Sequence, residues 1–166
     1  MKNLQIKDVK AFALKAHETQ RYGDKPYEVH LRQVVNILDE EGYSDNLILM
    51  AAAWLHDVVE DTDVSANEIE NKFGFEVRDI VHRVSDEPGE SRKERKLNTY
   101  PKIKGHQEAT IIKLCDRIAN VEASKDVPKK LKMYFEEYPE FKSHLYQPGI
   151  ADSLWARLDK LLVDSE

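Results

Sequence analysis

The run Leu47-Ile48-Leu49-Met50-Ala51-Ala52-Ala53-Trp54-Leu55 is apolar at every position and leads directly into His56-Asp57-Val58-Val59-Glu60-Asp61-Thr62. A short apolar run can be strand or helix, but three alanines and few β-branched residues favour helix. A helix that is apolar all round needs neighbours on every side, so it belongs at the centre of the fold. The polar groups at its end are then delivered to the edge of the core. At helical pitch His56 stacks over Glu60 and Asp57 over Asp61, giving two His/carboxylate ridges side by side. An imidazole and a carboxylate placed together can share one divalent ion. The two acids one turn further on stand where an attacking water could lie. The competing reading is an ordinary solvated helix end, but acids there oppose the helix dipole, and three of them are unfavourable without a cation.

Helical periodicity continues on both sides of this segment. Val9, Phe12, Ala13 and Ala16 mark a first helix ending near Gln20, and after the loop Arg21 to Lys25 a second carries Tyr27, Leu31, Val34, Ile37 and Leu38 inward. Pro26 suits the first turn of that second helix, and Asp45 can cap the central one. Ser65-Ala66-Asn67-Glu68 is a capping-box pattern, and Gly74 is the matching stop. Val77, Ile80, Val81 and Val84 form a further segment, and a break is expected from Pro101 to Gly105. Ile111, Leu114, Cys115, Ile118 and Val121 mark a core helix from Glu108 to Ser124. The tail adds a helix around Leu131 to Tyr138 and another with Leu154, Trp155, Leu158, Leu161 and Leu162. The expected fold is all-α, a single domain over 1–166.

Two polar residues interrupt this apolar pattern where a site would need them. Asp116 is flanked by core residues, and an acid so placed must be paired or coordinated, because burying it bare is costly. Asn120 lies one turn later on the same face. His30 sits beside Tyr27 and Leu31; alone it reads as a satisfied core histidine. With His56, Asp57 and Asp116 it completes two imidazoles and two carboxylates, a set suited to one Mn²⁺, Fe²⁺ or Zn²⁺ ion. His17, at the end of the first helix, either supports the site or caps. His82, His106 and His144 have no acidic partner at ligand spacing and are expected at the surface.

Charge and composition bound the function. The formal net charge of −6 argues against general nucleic-acid binding. The single cysteine, Cys115, excludes an internal disulfide framework and is expected as core packing. The start of the chain lacks a secretory pattern, and no apolar run spans a membrane, so a cytoplasmic protein is expected. Within this acidic chain the stretch Arg92-Lys93-Glu94-Arg95-Lys96 is either a solvated helix face or a holder of polyphosphate.

These motifs together resemble the HD superfamily of metal-dependent phosphohydrolases, and within it the hydrolase branch of RelA/SpoT homologues in its stand-alone, metazoan form. The likeness runs over about 9–138 and rests on His17-Glu18-Thr19-Gln20-Arg21, Lys25-Pro26-Tyr27-Glu28-Val29-His30, the segment Ala53 to Thr62, Phe73-Gly74-Phe75-Glu76-Val77 and Lys113-Leu114-Cys115-Asp116-Arg117-Ile118-Ala119-Asn120. The resemblance implies an HD helical bundle with helices from 139–166 packed on it. It implies Mn²⁺ held by His30, His56, Asp57 and Asp116, with Glu60 and Asp61 orienting and deprotonating the attacking water. It further implies Arg21, Lys25, Lys93, Lys96, Asn120 and Tyr134 as substrate contacts. The implied reaction is hydrolysis of (p)ppGpp to GDP or GTP and pyrophosphate, with a small nucleotide as the only implied partner. The loop between Gln20 and Pro26 is shorter than is usual in the family, and Leu31 replaces the proline that generally follows the metal histidine. Two alternatives stay open: phosphohydrolysis of another nucleotide such as NADPH or a dNTP, and a non-catalytic nucleotide-sensing module.

Overall fold

The computed structural model describes residues 3–163. Its helices are α1 (Ile6–Ala16), α2 (Glu28–Glu40), α3 (Leu47–Leu55), α4 (Val58–Asp61), α5 (Ala66–Phe73), α6 (Phe75–Val84), α7 (Arg92–Ile103), α8 (Gln107–Ala123), α9 (Pro128–Leu145) and α10 (Asp152–Leu162). The only strands among the described residues, β1 (Arg21–Tyr22) and β2 (Lys25–Pro26), form a small antiparallel hairpin. Its two-residue turn begins at Gly23, whose φ of 63° is open to glycine at no steric cost. The fold is therefore all-α, as the periodicity predicts.

The apolar run becomes α3, and it does sit at the centre. It packs against α1, α2, α6 and α8, and Leu49, Ala51, Ala52, Ala53, Trp54 and Leu55 are buried. The alanines allow this, since they let neighbouring backbones approach closely while the large residues fill the gaps between them. The second core helix is α8, with Ile111, Ile112, Leu114, Cys115, Ile118 and Val121 buried against α2, α6 and α10. Where α3 and α8 approach α2, their polar ends meet.

Several local expectations are corrected. α1 stops at Ala16, with His17 as its C-cap, rather than near Gln20. Pro26 lies on β2, not in the first turn of α2. Asn46, not Asp45, caps α3, its side chain accepting from the Leu49 amide at 3.1 Å. Pro101 does not break the chain: α7 runs through it to Ile103, because a proline so near a helix end forfeits a single backbone bond. The helix expected around Leu131 to Tyr138 extends from Pro128 through Pro139 to Leu145. Ser65 caps α5 as expected, accepting from the Glu68 amide at 3.1 Å.

α10 joins the same continuous apolar core through Leu154, Trp155, Leu158 and Leu162, against α8 and α9. Tyr138 donates to Asp159, Lys142 reaches Asp159 at 2.9 Å, and Arg157 bridges Glu40 at 2.8 Å and Glu122 at 3.2 Å. Removing the Trp155 ring therefore tests whether the tail belongs to the folding unit. Trp155→Ala should cost about 3–5 kcal/mol in chemical denaturation, as for other large-to-small changes at buried aromatics. A cost under about 1 kcal/mol, within the range of surface substitutions, would show α10 to be an appendage.

Candidate active site

Three stretches of chain deliver four ligand-type side chains to one point. His30 comes from the first turn of α2, His56 and Asp57 from the junction of α3 and α4, and Asp116 from the middle of α8. One ligand atom from each lies within 4.8 Å of all the others. The junction also corrects an expectation. The helix does not run unbroken from Leu47 to Asp61; it is interrupted at His56 and Asp57, and α4 is a separate turn. Asp57 sits at φ −104°, ψ 0°, in the bridge region common at functional sites. The register survives the interruption, since the Asp61 amide still donates to the Asp57 carbonyl at 2.9 Å, and Asp57 Oδ2 lies 3.0 Å from His56 Nε2.

The geometry inside the cluster is close, and among its buried nitrogens and carboxylate oxygens only His30 Nδ1, on the far side of its ring, lacks a partner. His30 Nε2 lies 3.0 Å from Asp116 Oδ1 and 3.5 Å from Asp57 Oδ2, while His56 Nε2 lies 3.0 Å from Asp57 Oδ2 and 3.4 Å from Asp116 Oδ1. The two Nε2 atoms are 3.3 Å apart. Both imidazoles are buried. Burial works to raise the Asp57 and Asp116 carboxyls, but the neighbouring histidines outweigh it and hold both well below the ordinary range. His56 Nδ1 donates to the Ala53 carbonyl at 2.7 Å, which aims Nε2 at the carboxylate oxygens. Burial works to lower the His56 pKa, but Asp57 and Asp116 outweigh it and raise it well above the ordinary value. Nε2 therefore carries a proton that a bound cation would displace. Two imidazole nitrogens and two carboxylate oxygens converging in this way form a donor set for a divalent cation.

The acids beyond the cluster stand on α4. Glu60 Oε2 accepts from the Asp86 amide at 3.4 Å, and Asp61 Oδ2 accepts from Gln20 Nε2 at 3.0 Å. Partial enclosure, then the Asp86 and Asp57 carboxylates, push the Glu60 pKa up to about 7. Both acids, with His30, Asp57 and Asp116, line a cavity of about 200 Å³. Four cations, Arg92, Lys96, Lys113 and Arg117, line the same cavity with Tyr134 and Asn120, and Lys113 Nζ lies 3.9 Å from Asp116 Oδ2. Lys113, Asp116, Arg117 and Asn120 recur at i, i+3, i+4 and i+7, one polar seam along an otherwise apolar helix.

The expected substrate residues are placed unevenly. Lys96 lines the cavity and pairs with Asp86 at 2.8 Å; Lys93 is exposed and does not line it. At i, i+4 on α7, Arg92 and Lys96 share the inward face, and Lys93 falls outside it. Arg92 and Arg117 both bind Glu137, at 2.5 and 2.9 Å, and both guanidiniums lie over the buried Tyr134 ring. Arg21 and Lys25 are exposed on the hairpin, outside the cavity lining, and Arg21 donates to the Asp24 carbonyl. Asn120 accepts from the Tyr22 hydroxyl at 2.7 Å and donates to Asp116 Oδ1 at 3.0 Å.

Sequence reasoning passed over Tyr22, Tyr27, Lys113 and Arg117. Tyr22 stacks on His30 with ring centroids 4.8 Å apart, and Tyr27 donates its hydroxyl to Asp57. The signal for Lys113 and Arg117 was the one already used for Asp116, a charged residue on the buried face of a core helix. His17 is buried and hydrogen-bonded to Gln20 at 2.7 Å. His82 is exposed, His144 stacks on Tyr100, and His106 caps α8 near Asp79 and Glu108 at 3.5 and 3.6 Å, acids that spacing did not reveal. Cys115 is buried and free.

This helical scaffold and its His/Asp cluster define an HD domain. Residues 10–140 match the family model described as "HD domain", and the chain belongs to that family. It is 32% identical over 163 residues to guanosine-3′,5′-bis(diphosphate) 3′-pyrophosphohydrolase MESH1 of Xenopus tropicalis, covering 92% of this chain and 90% of that one. The human MESH1 is 35% identical over 121 residues, covering 70% of this chain and 68% of the relative. Among solved structures, one described as "a metazoan ortholog of SpoT" that "hydrolyzes ppGpp and plays a role in starvation responses" superposes with a TM-score of 0.84. That match covers 97% of this chain and 95% of the other at 27% identity. No helix of the described residues is long and apolar enough to cross a membrane.

The raised Glu60 carboxyl gives a direct check of the site's electrostatics. In metal-free protein its carboxyl carbon should titrate near pH 7 by NMR. A divalent ion at the cluster offsets the Asp57 charge, so the same titration should move to lower pH on its addition. Titration in the ordinary carboxylate range without metal would contradict the crowding of Asp57, Glu60 and Asp86.

Proposed function

We propose that this chain is a Mn²⁺-dependent 3′-pyrophosphohydrolase of guanosine 3′,5′-bis(diphosphate), acting on ppGpp and pppGpp. The observation that carries the reading is the side-by-side placement of the four-residue ligand cluster, two further acids and four cations around one cavity. His30, His56, Asp57 and Asp116 would hold the ion, which when bound supplies Lewis-acid charge stabilisation beside the scissile phosphate. Glu60 and Asp61 at the cavity edge share the work of orienting the attacking water and taking its one proton as general base. The water oxygen bonds to the phosphorus attached to the 3′ oxygen. The bond from that phosphorus to the 3′ oxygen breaks and the proton taken from water passes to the 3′ oxygen, leaving pyrophosphate and, from ppGpp, GDP.

The four cations support an anionic substrate in a chain of net charge −6. Arg92, Lys96, Lys113 and Arg117 offset the diphosphate end, and Glu137 holds the two guanidiniums in place by paired bonds. A cavity of about 200 Å³ takes that end and leaves the nucleoside toward the hairpin, where Arg21 and Lys25 are exposed. Asn120, bonded to Tyr22 and Asp116, orients a ligand carboxylate while keeping one N–H for substrate. An activity panel of ppGpp, NADPH and dNTPs with Mn²⁺ tests the reading. Pyrophosphate release from ppGpp in clear preference is expected; turnover of NADPH or a dNTP alone would overturn it.

The two acids and the four ligand residues separate cleanly by what their loss removes. Glu60→Gln and Asp61→Asn should retain metal by elemental analysis and lose about 10²–10⁴-fold in turnover. His56→Ala and Asp116→Ala should lose metal and activity together, since a partly filled site leaves an uncompensated charge. A Glu60 or Asp61 variant that loses its metal would instead place that acid among the ligands.

The cations lining the cavity predict a second contrast. Lys96→Ala should raise KM with a smaller effect on kcat, the pattern of binding shared by ground and transition states, and added salt should shrink the effect. Lys93→Ala should change KM less. Equal effects at low ionic strength would show the basic stretch acting as a diffuse field and not through the residue that lines the cavity.

A further inference from the structure

One hydrogen-bonded chain reaches Asp61 from outside the metal cluster. His17, the C-cap of α1, is 3% exposed, and its Nδ1 lies 2.7 Å from Gln20 Oε1. Gln20 Nε2 in turn donates to Asp61 Oδ2 at 3.0 Å. The chemistry assigns each atom its role. An ionised carboxylate only accepts, so Gln20 must turn its amide nitrogen toward Asp61. Its carbonyl oxygen then faces His17, whose Nδ1 must carry the proton. His17 Nε2 is buried with no partner, which suits a bare lone pair better than an N–H, and burial favours the neutral ring.

The pieces of this chain are themselves held. The His17 amide donates to Ala13 O at 3.1 Å and the Gln20 amide to His17 O at 3.0 Å, which fixes the turn after α1. The His17 ring stacks on Tyr27 with centroids 4.8 Å apart, and Tyr27 donates to Asp57. Asp61, by contrast, ends the single turn of α4 and is exposed. Its side chain has rotamer freedom to lose unless a donor from a rigid neighbour selects one orientation.

Resting on the hydrolase reading above, we propose that His17 and Gln20 are positioning residues that aim the Asp61 carboxylate at the attacking water. Gln20 makes the contact, and His17 fixes which way the Gln20 amide points. His17 thus acts at a distance through hydrogen bonds and touches neither ion nor substrate.

Three variants and one spectrum test this. Gln20→Leu removes both amide groups, and His17→Phe keeps a ring on Tyr27 without the Nδ1–H. Each should lower kcat about 10–100-fold, the usual loss when the partner orienting a site residue is removed. KM, metal content and melting temperature should stay close to wild type. His17→Asn, which offers an amide N–H near the place of Nδ1, should restore most of kcat. In an Asp61→Asn background, Gln20→Leu should cause no further loss, because both changes remove one function. Independently of turnover, imidazole ¹⁵N shifts of the metal-free protein should show His17 in the Nδ1–H form, and Gln20→Leu should disturb that preference. Folded Gln20→Leu and His17→Phe proteins with wild-type kcat would overturn the proposal, as would a full multiplicative loss in the Asp61→Asn background. If the wild-type chain hydrolyses no nucleotide, the hydrolase reading falls by itself. The spectrum still decides the chain of bonds, and an Nε2–H form of His17 would overturn it.

Discussion

Two imidazole nitrogens 3.3 Å apart, each within 3.5 Å of the same two carboxylates, are an arrangement that folding alone would not favour. Four groups that ordinarily seek water or separate partners are brought together at the edge of an apolar core. The cost of desolvating them is offset by opposite charge within the cluster, protonated imidazoles against carboxylates, a place that a divalent cation can take. Much of the surrounding architecture serves that convergence. α3 is apolar all round so that it can run through the core and end at the cluster. The break at His56 and Asp57 turns two consecutive residues inward, and α8 contributes Asp116 without surrendering its apolar contacts.

Around this centre the structure gathers charge of both signs. Glu60, Asp61, Asp57 and Asp116 share one cavity with Arg92, Lys96, Lys113 and Arg117. Partners relieve much of the like-charge repulsion, though Glu60 still meets the Asp86 and Asp57 carboxylates. Glu137 joins two of the cations, Asp86 pairs with Lys96, and hydrogen-bond donors from the segment 17–27 reach Asp57 and Asp61. The hairpin and the turn before it therefore do more than connect α1 to α2. Tyr22 covers His30, Tyr27 holds Asp57 and Gln20 holds Asp61, so a short connection restrains three parts of the site.

How far the sequence reveals all this depends on the range of the interaction. The central helix was legible because an apolar run has few places to go, and Asp116 because a charge on a core face demands a partner. His30 was ambiguous alone and gained meaning only from the company of His56, Asp57 and Asp116. The break between α3 and α4 was not legible, because nothing in Trp54 to Thr62 is a glycine or proline. Nor was the unequal placing of Lys93 and Lys96, since helical spacing separates faces without saying which one looks inward. The restraints from Tyr22, Tyr27 and Gln20 are long-range side-chain bonds, up to Asn120 from Tyr22, and periodicity carries no trace of them.

The central claim is that one divalent ion completes the cluster of His30, His56, Asp57 and Asp116. Calorimetric titration of chelator-treated protein with Mn²⁺, followed by thermal melting of the two forms, tests it most directly. One ion bound per chain and a higher melting temperature for the loaded form are expected, since an ion that binds only the folded state stabilises it. Absence of saturable binding, or binding that persists unchanged in His56→Ala, would contradict it.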